Sequence, residues 1–107
     1  MDSDLIRVEV LTVDHFGNVA LAAGPAELAA TGLRAGASVM LQWPAGALPV
    51  RIGRTFADVA EGELVALVDS AGHLSVAQRA GSAARCTGLQ AGAVVELITT
   101  PIDDPVT

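Results

Sequence analysis

The chain has 107 residues, 51% apolar and 17% charged, which is a globular composition of one domain and not a disordered one. Its net charge is −6, and its six cations are all arginine: Arg7, Arg34, Arg51, Arg54, Arg79 and Arg85. They are scattered along the chain, which argues against a phosphate-neutralising nucleic-acid surface. Cys86 is the sole cysteine, so no internal disulfide forms, and its apolar context predicts a small core residue.

Taken in chain order, Ile6 to Val13 begins with the apolar–polar alternation of a half-buried strand. Asp14-His15-Phe16-Gly17-Asn18 carries turn chemistry, and Val19 to Ala22 reads as the returning strand of a hairpin. Pro25 to Ala30 predicts a short helix, with Pro in its first turn and Gly32 just past its end. Ala37 to Trp43 alternates again as a strand. Trp43 to Pro49, rich in Pro and Gly, reads as a loop, and Val50 to Phe56 as the next strand.

Val59 to Glu63 is a turn or a single helical turn, and the continuous apolar run Leu64 to Val68 a central strand. Ser70 to His73 is a second hairpin turn, leading into a strand from Leu74 to Gln78. Gly81 to Arg85 predicts a second short helix ending near Gly88, and Ala93 to Thr99 the last strand. The acidic tail, residues 101–107, is expected to fray.

One pattern occurs twice. Thr31-Gly32-Leu33-Arg34-Ala35-Gly36-Ala37-Ser38-Val39-Met40-Leu41-Gln42 returns 56 residues later as Thr87-Gly88-Leu89-Gln90-Ala91-Gly92-Ala93-Val94-Val95-Glu96-Leu97-Ile98. Upstream, Val13 to Val19 faces Val68 to Leu74 at an offset of 55. The repeat predicts two similar halves closing around one core. The fold class is therefore all-β: a small Greek-key barrel of about seven strands, with two short helical turns and an internal pseudo-repeat.

Several chemistries are absent. The chain has no lysine and no Gly-x-Gly-x-x-Gly or P-loop sequence. His15 and His73 stand in turns without Cys or Glu at ligand spacing, so no metal site is expected. There is no Gly-x-Ser-x-Gly elbow. Asp14 and Asp69 occupy equivalent places in the two halves, which makes both of them turn-forming residues rather than an acid–base pair. Met1-Asp2-Ser3-Asp4 lacks an apolar signal core, and the longest stretch without an ionisable side chain, Ala35 to Val50, is broken by Gly and Pro. These features predict a soluble, cytoplasmic protein with no membrane partner.

The halves differ in what they carry at their turns. Phe16 and Asn18 flank Gly17 in the first. A Phe in a turn is either a cap over the barrel end or a binding surface. Asn18 either stabilises the turn or reads a purine edge, since its amide pairs a donor with an acceptor as adenine does. Phe56 stands just before another turn. Backbone N–H groups after Gln78 are free to meet an acceptor.

In combination, Val13-Asp14-His15-Phe16-Gly17-Asn18-Val19, Thr55-Phe56-Ala57-Asp58-Val59, Glu61 to Leu67, Ser70-Ala71-Gly72-His73-Leu74 and Ala80-Gly81-Ser82-Ala83-Ala84 resemble the C-terminal domain of the S-adenosylmethionine hydroxide adenosyltransferases, relatives of the fluorinase and chlorinase. The resemblance runs from about Ile6 to Ile98. It implies a domain that meets an N-terminal catalytic α/β domain in a homotrimer, where water attacks C5′ of S-adenosylmethionine and releases adenosine and methionine.

Carried over by residue, the resemblance implies that Asn18 hydrogen-bonds the adenine edge and that Phe16 and Phe56 pack around the nucleoside. The Ala80 N–H would meet an adenine nitrogen, and Ser70 the methionine carboxylate. It implies no catalytic residue, no metal and no cofactor in this chain; S-adenosylmethionine is substrate. Halide chemistry is disfavoured, because the halide enzymes carry Arg where this chain has Ala71 and Gln78. The Thr-Asn pair that follows Phe-Gly-Asn in the family is replaced by Val19 to Ala23. The chain is thus expected to be one domain over residues 1–107, without the N-terminal domain and inactive alone. The alternative is a stand-alone structural or interaction barrel that has lost ligand binding.

Overall fold

The computed structural model describes residues 5–24, 26 and 36–99. Seven strands form one closed barrel: β1 (Leu5–Val13), β2 (Val19–Leu21), β3 (Ser38–Trp43), β4 (Gly46–Ile52), β5 (Leu64–Val68), β6 (Leu74–Gln78) and β7 (Val94–Thr99). Around the barrel they run β1-β2-β6-β5-β4-β3-β7, and β7 closes on β1. Every pairing is antiparallel except β4 with β5. The expected helix at Pro25 to Ala30 and the expected tail at 101–107 lie outside the described residues.

Alternation places one face of each strand inside. Val8, Val10, Val19, Leu21, Val39, Leu41, Val50, Ile52, Leu64, Ala66, Leu74, Val76, Val95 and Leu97 form the core. Helix α1 (Ala83–Thr87) covers one barrel end, with Ala83 and Leu89 joining that core. The Ser82 hydroxyl accepts from the Arg85 N–H at its start, and Gly88, at φ 76, ends it with its N–H on the Ala84 carbonyl.

The repeat is visible in the pairing. In β2–β6, Ala20 faces Ser75, its own counterpart at the offset of 55. In β3–β7, Leu41 faces Leu97, its counterpart at the offset of 56. An antiparallel pair of equivalent strands has a local two-fold at the self-paired position, so a pseudo-two-fold axis crosses the barrel through these two pairs. Strand β4 breaks it. In one half, Gly92 and Ala93 exchange hydrogen bonds with Val10 of β1; in the other, Gly36 and Ala37 exchange them with Ile52 of β4.

Because β4 and β5 are parallel, a crossover is required between them. Residues 53–63 supply it. They pass over the outer side of β5 and β6, where Val59 packs on Val65 and Ala77. This covers β5 on both faces, so Leu64, Val65 and Ala66 are all buried. That is why β5 reads as a continuous apolar run. Arg79 ties the crossover down: its guanidinium donates to the Val59 carbonyl at 2.6 Å, and its backbone pairs with Gly62 and Glu63.

Three expectations need correction. Trp43 to Pro49 is not a loop: β3 and β4 form a hairpin through Pro44-Ala45, with Trp43 opposite Gly46. Strand β4 ends at Ile52, not Phe56. There Thr55 caps a 3-10 turn, Phe56–Asp58, in a capping box, its side chain accepting from the Ala57 N–H, while the Asp58 carboxylate accepts from the Arg54 and Thr55 N–H groups. Cys86 is exposed on α1 rather than buried, because the helix presents Ala83 and Thr87 to the barrel instead.

Candidate functional site

Turn residues 14–18 are built on one carboxylate. Asp14 Oδ1 accepts from the Phe16 and Asn18 backbone N–H groups at 2.8 and 2.9 Å, and its carbonyl accepts from Gly17. Asp14 Oδ2 accepts from the Asn18 side-chain Nδ2 at 3.0 Å. These donors hold the Asp14 carboxyl below its usual range, the Asn18 backbone N–H foremost, against opposition from desolvation. Asp58 is likewise lowered, first by the Arg54 N–H and then by that of Thr55.

The turn is pinned to the start of α1. Ala84 N–H donates to the Gly17 carbonyl at 2.8 Å. Gly17 has φ +86, and a Cβ there would overlap Ser82 Oγ and stand 2.7 Å from its Cβ. Only glycine fits this contact. It sets Phe16 beside Gly81 and Ser82, over an open groove of about 690 Å3 whose lining also includes Gln78, Arg85 and Cys86. Phe16 is 75% exposed and so does not cap the core. His15 meets it edge-on, ring centroids 5.5 Å apart.

Ala80 stands just before that contact. It is exposed and adopts φ 61, the left-handed region that non-glycine residues rarely occupy. Its N–H makes no hydrogen bond among the described residues, whereas the flanking Arg79 and Gly81 N–H groups are both engaged. By the β2–β6 register Phe16, Asn18 and Ala80 lie toward the same end of the barrel, with Phe16 lining the groove and Asn18 and Ala80 next in sequence to lining residues but outside its lining.

Ser70 and Phe56 do not join them. Ser70 is exposed in the β5–β6 turn, at the opposite end of β6 from Ala80. Phe56, 46% exposed, lies in the crossover beyond the end of β4 that pairs with Ala66, toward the Ser70 end. Ser70 and Ala80 thus stand at opposite ends of β6, with Phe56 toward the Ser70 end. The bonds from Asn18 to Asp14 realise the turn-stabilising reading of Asn18, while the participation of Gln78, Ser82 and Arg85 in the groove was not foreseen. The spacing Asp-x-x-Gly-Asn carries a signal for the first, because Asp accepts from N–H groups two and four residues on.

Among the described residues no group of three or more His, Cys, Asp or Glu is placed to hold a metal ion. No helix among them is long and apolar enough to cross a membrane.

Comparisons with known proteins give this geometry a context. The family model described as the SAM hydroxide adenosyltransferase C-terminal domain matches residues 8–96. An (R)-S-adenosyl-L-methionine hydrolase of Salinispora tropica is 46% identical over 91 residues, covering 85% of this chain and 32% of that protein. A protein of the same name from Thermus thermophilus is 41% identical over 90 residues, covering 84% of this chain and 31% of its own length. Among solved structures, an uncharacterized conserved protein from Thermotoga maritima superposes with a TM-score of 0.84 at 26% identity, over 91% of this chain and 37% of that one. A conserved hypothetical protein from Thermus thermophilus gives 0.59 at 39% identity, over 85% and 34%. The chain spans about a third of the length of the curated relatives it matches. It follows from the match over residues 8–96 that the chain belongs to the SAM hydroxide adenosyltransferase C-terminal domain family.

Proposed function

We propose that this barrel is the nucleoside-recognising part of an S-adenosylmethionine hydrolase, which converts S-adenosylmethionine and water to adenosine and methionine. The observation that carries the reading is the Phe16-Gly17-Asn18 turn, with Phe16 exposed and Gly17 locked against Ser82 and Ala84, close in sequence to an Ala80 N–H that has no partner among the described residues. Phe16 offers an aromatic face to a base. Asn18 offers a donor and an acceptor side by side, and Ala80 a further donor. That combination is complementary to adenine. The separation of Ser70 from Ala80 along β6 suits a ligand with two unlike ends, a nucleoside at the Asn18 end and an amino acid at the Ser70 end.

In this reading the reaction itself belongs to a catalytic α/β domain, and the working unit is a cytoplasmic homotrimer in which that domain faces the barrel of a neighbour. An open groove buries little of a small ligand, so affinity in this chain alone is weak. Adenosine release from S-adenosylmethionine, followed chromatographically, is expected to be nil for the chain alone and to appear when the α/β portion of a relative is added in trans. In that reconstituted enzyme Asn18→Ala is expected to raise KM about tenfold, the effect of one lost hydrogen-bonding pair. An unchanged KM would remove Asn18 from the site.

A further inference from the structure

The two hairpin turns are the same object with one difference. Asp69 repeats every backbone bond of Asp14: its Oδ1 accepts from the Ala71 and His73 N–H groups, its carbonyl accepts from Gly72, and its own N–H meets the His73 carbonyl. Asp14 does the same with Phe16, Asn18, Gly17 and the Asn18 carbonyl. Only Asp14 adds a bond from its second oxygen, to the Asn18 side chain. The turn folds without that bond, as the second hairpin shows, so the bond serves something other than the turn.

We propose that Asp14 is a positioning residue that fixes which way the Asn18 carboxamide faces, and so makes the site select an adenine edge over a hypoxanthine edge. The proposal rests on the nucleoside reading above. A carboxylate only accepts hydrogen bonds, so the atom of Asn18 turned toward Asp14 Oδ2 has to be Nδ2. One N–H is consumed there. The carbonyl oxygen and the remaining N–H make no hydrogen bond among the described residues. Their left-to-right order is now set.

Adenine presents an amino donor beside a ring-nitrogen acceptor, the complement of that order. Inosine presents a carbonyl acceptor beside an N–H donor. Against a fixed amide, inosine places acceptor on acceptor and donor on donor; against an amide free to flip, both bases are accommodated.

The test is a two-dimensional NMR titration of the whole chain with adenosine and, separately, inosine, at millimolar ligand. The wild-type chain is expected to prefer adenosine by about tenfold in Kd, the consequence of replacing a hydrogen-bonded pair by two like groups at an exposed site. Asp14→Asn keeps the Oδ1 acceptor that the backbone needs and offers Asn18 a donor where it had an acceptor. The carboxamide then reverses, and the preference falls below about twofold or inverts. Asp14→Ser retains a hydroxyl for the turn but has no second oxygen for Asn18, and gives a preference near unity. Asp69→Asn, the same change in the equivalent turn, leaves the preference as in the wild type. Unchanged Gly17 and Ala84 amide shifts identify variants whose turn is intact. A wild-type preference retained in both intact Asp14 variants overturns the inference and leaves the nucleoside reading standing. Failure of adenosine to perturb Asn18 in the wild-type chain overturns both.

Discussion

The two halves of this barrel make the same Asp-Gly hairpin turn, yet only the first has its glycine packed against α1. Gly72 faces open space, and a Cβ added to it meets nothing within 4 Å. Gly17, with the same φ of 86, is pressed against Ser82 and bonded to Ala84. The second turn ends in His73, whose backbone N–H completes it. The first ends in Asn18, whose side chain is also held. Identical backbone chemistry has thus been kept in both places. What differs is the packing against α1 and the side chains displayed, and the proposed adenine contacts lie where the two turns differ.

The contrast is sharpest at the glycines. Both Gly17→Ala and Gly72→Ala place a side chain at positive φ, at about 1–2 kcal/mol each. Gly17→Ala also forces Ser82 apart, which adds about 1–3 kcal/mol of overpacking. Denaturant unfolding is expected to show Gly17→Ala as the more destabilised by at least about 1 kcal/mol. Equal losses would mean that the first turn is not clamped to the helix.

A change on the pseudo-axis should not distinguish the halves. Leu41 and Leu97 face each other and are both fully buried. Leu41→Ala and Leu97→Ala should each cost about 2–5 kcal/mol, and by similar amounts. A marked inequality in thermal unfolding would show that the asymmetric strand β4, which adjoins β3 but not β7, stiffens one side of the core.

Most of the strands were legible because alternation survives in a barrel: Val8 and Val10 in β1, or Val39 and Leu41 in β3, face inward while their neighbours do not. The start of β4 was hidden by its prolines. Pro44 makes the hairpin turn, and Pro49 precedes Val50, the first residue of β4 to pair with β5. On the side away from β3 that stretch is therefore an edge, where a missing N–H is tolerated. The capping pattern Thr55-x-x-Asp58 was a readable stop signal for the end of β4. Both Asp turns were legible from composition. The division of the expected contacts between two ends of the barrel was not, because it depends on the strand order around the barrel and no local pattern carries it.

The acid response probes the first turn more gently. The folded-state value of Asp14 lies below its unfolded one. Its contribution is therefore present above about pH 4 and is lost as pH falls through the lower folded value. Asp58 acts in the same direction. Stability measured by denaturant is expected to fall on acidification below about pH 4, and to fall less steeply in Asp14→Asn, which has no proton to take up at that site. A slope identical to the wild type would remove Asp14 from the acid response.

Smallest of all is the cost of the Arg7–Glu96 ion pair on the outer face, 2.9 Å long and exposed, whose removal should change stability by less than about 1 kcal/mol and leave both turns untouched. A larger loss would place barrel closure between β1 and β7 under electrostatic rather than packing control.

We propose that adenine is read at the first turn, with Ser70 of the second turn left to the methionine end. Chemical-shift mapping of the whole chain with adenosine, then with S-adenosylmethionine, tests it directly. Adenosine is expected to shift Phe16 to Asn18 and Ala80 to Ser82 while leaving Ala71 to His73 unmoved, and S-adenosylmethionine to add Ser70. Adenosine shifts of equal size at both turns, or at neither, would contradict the account.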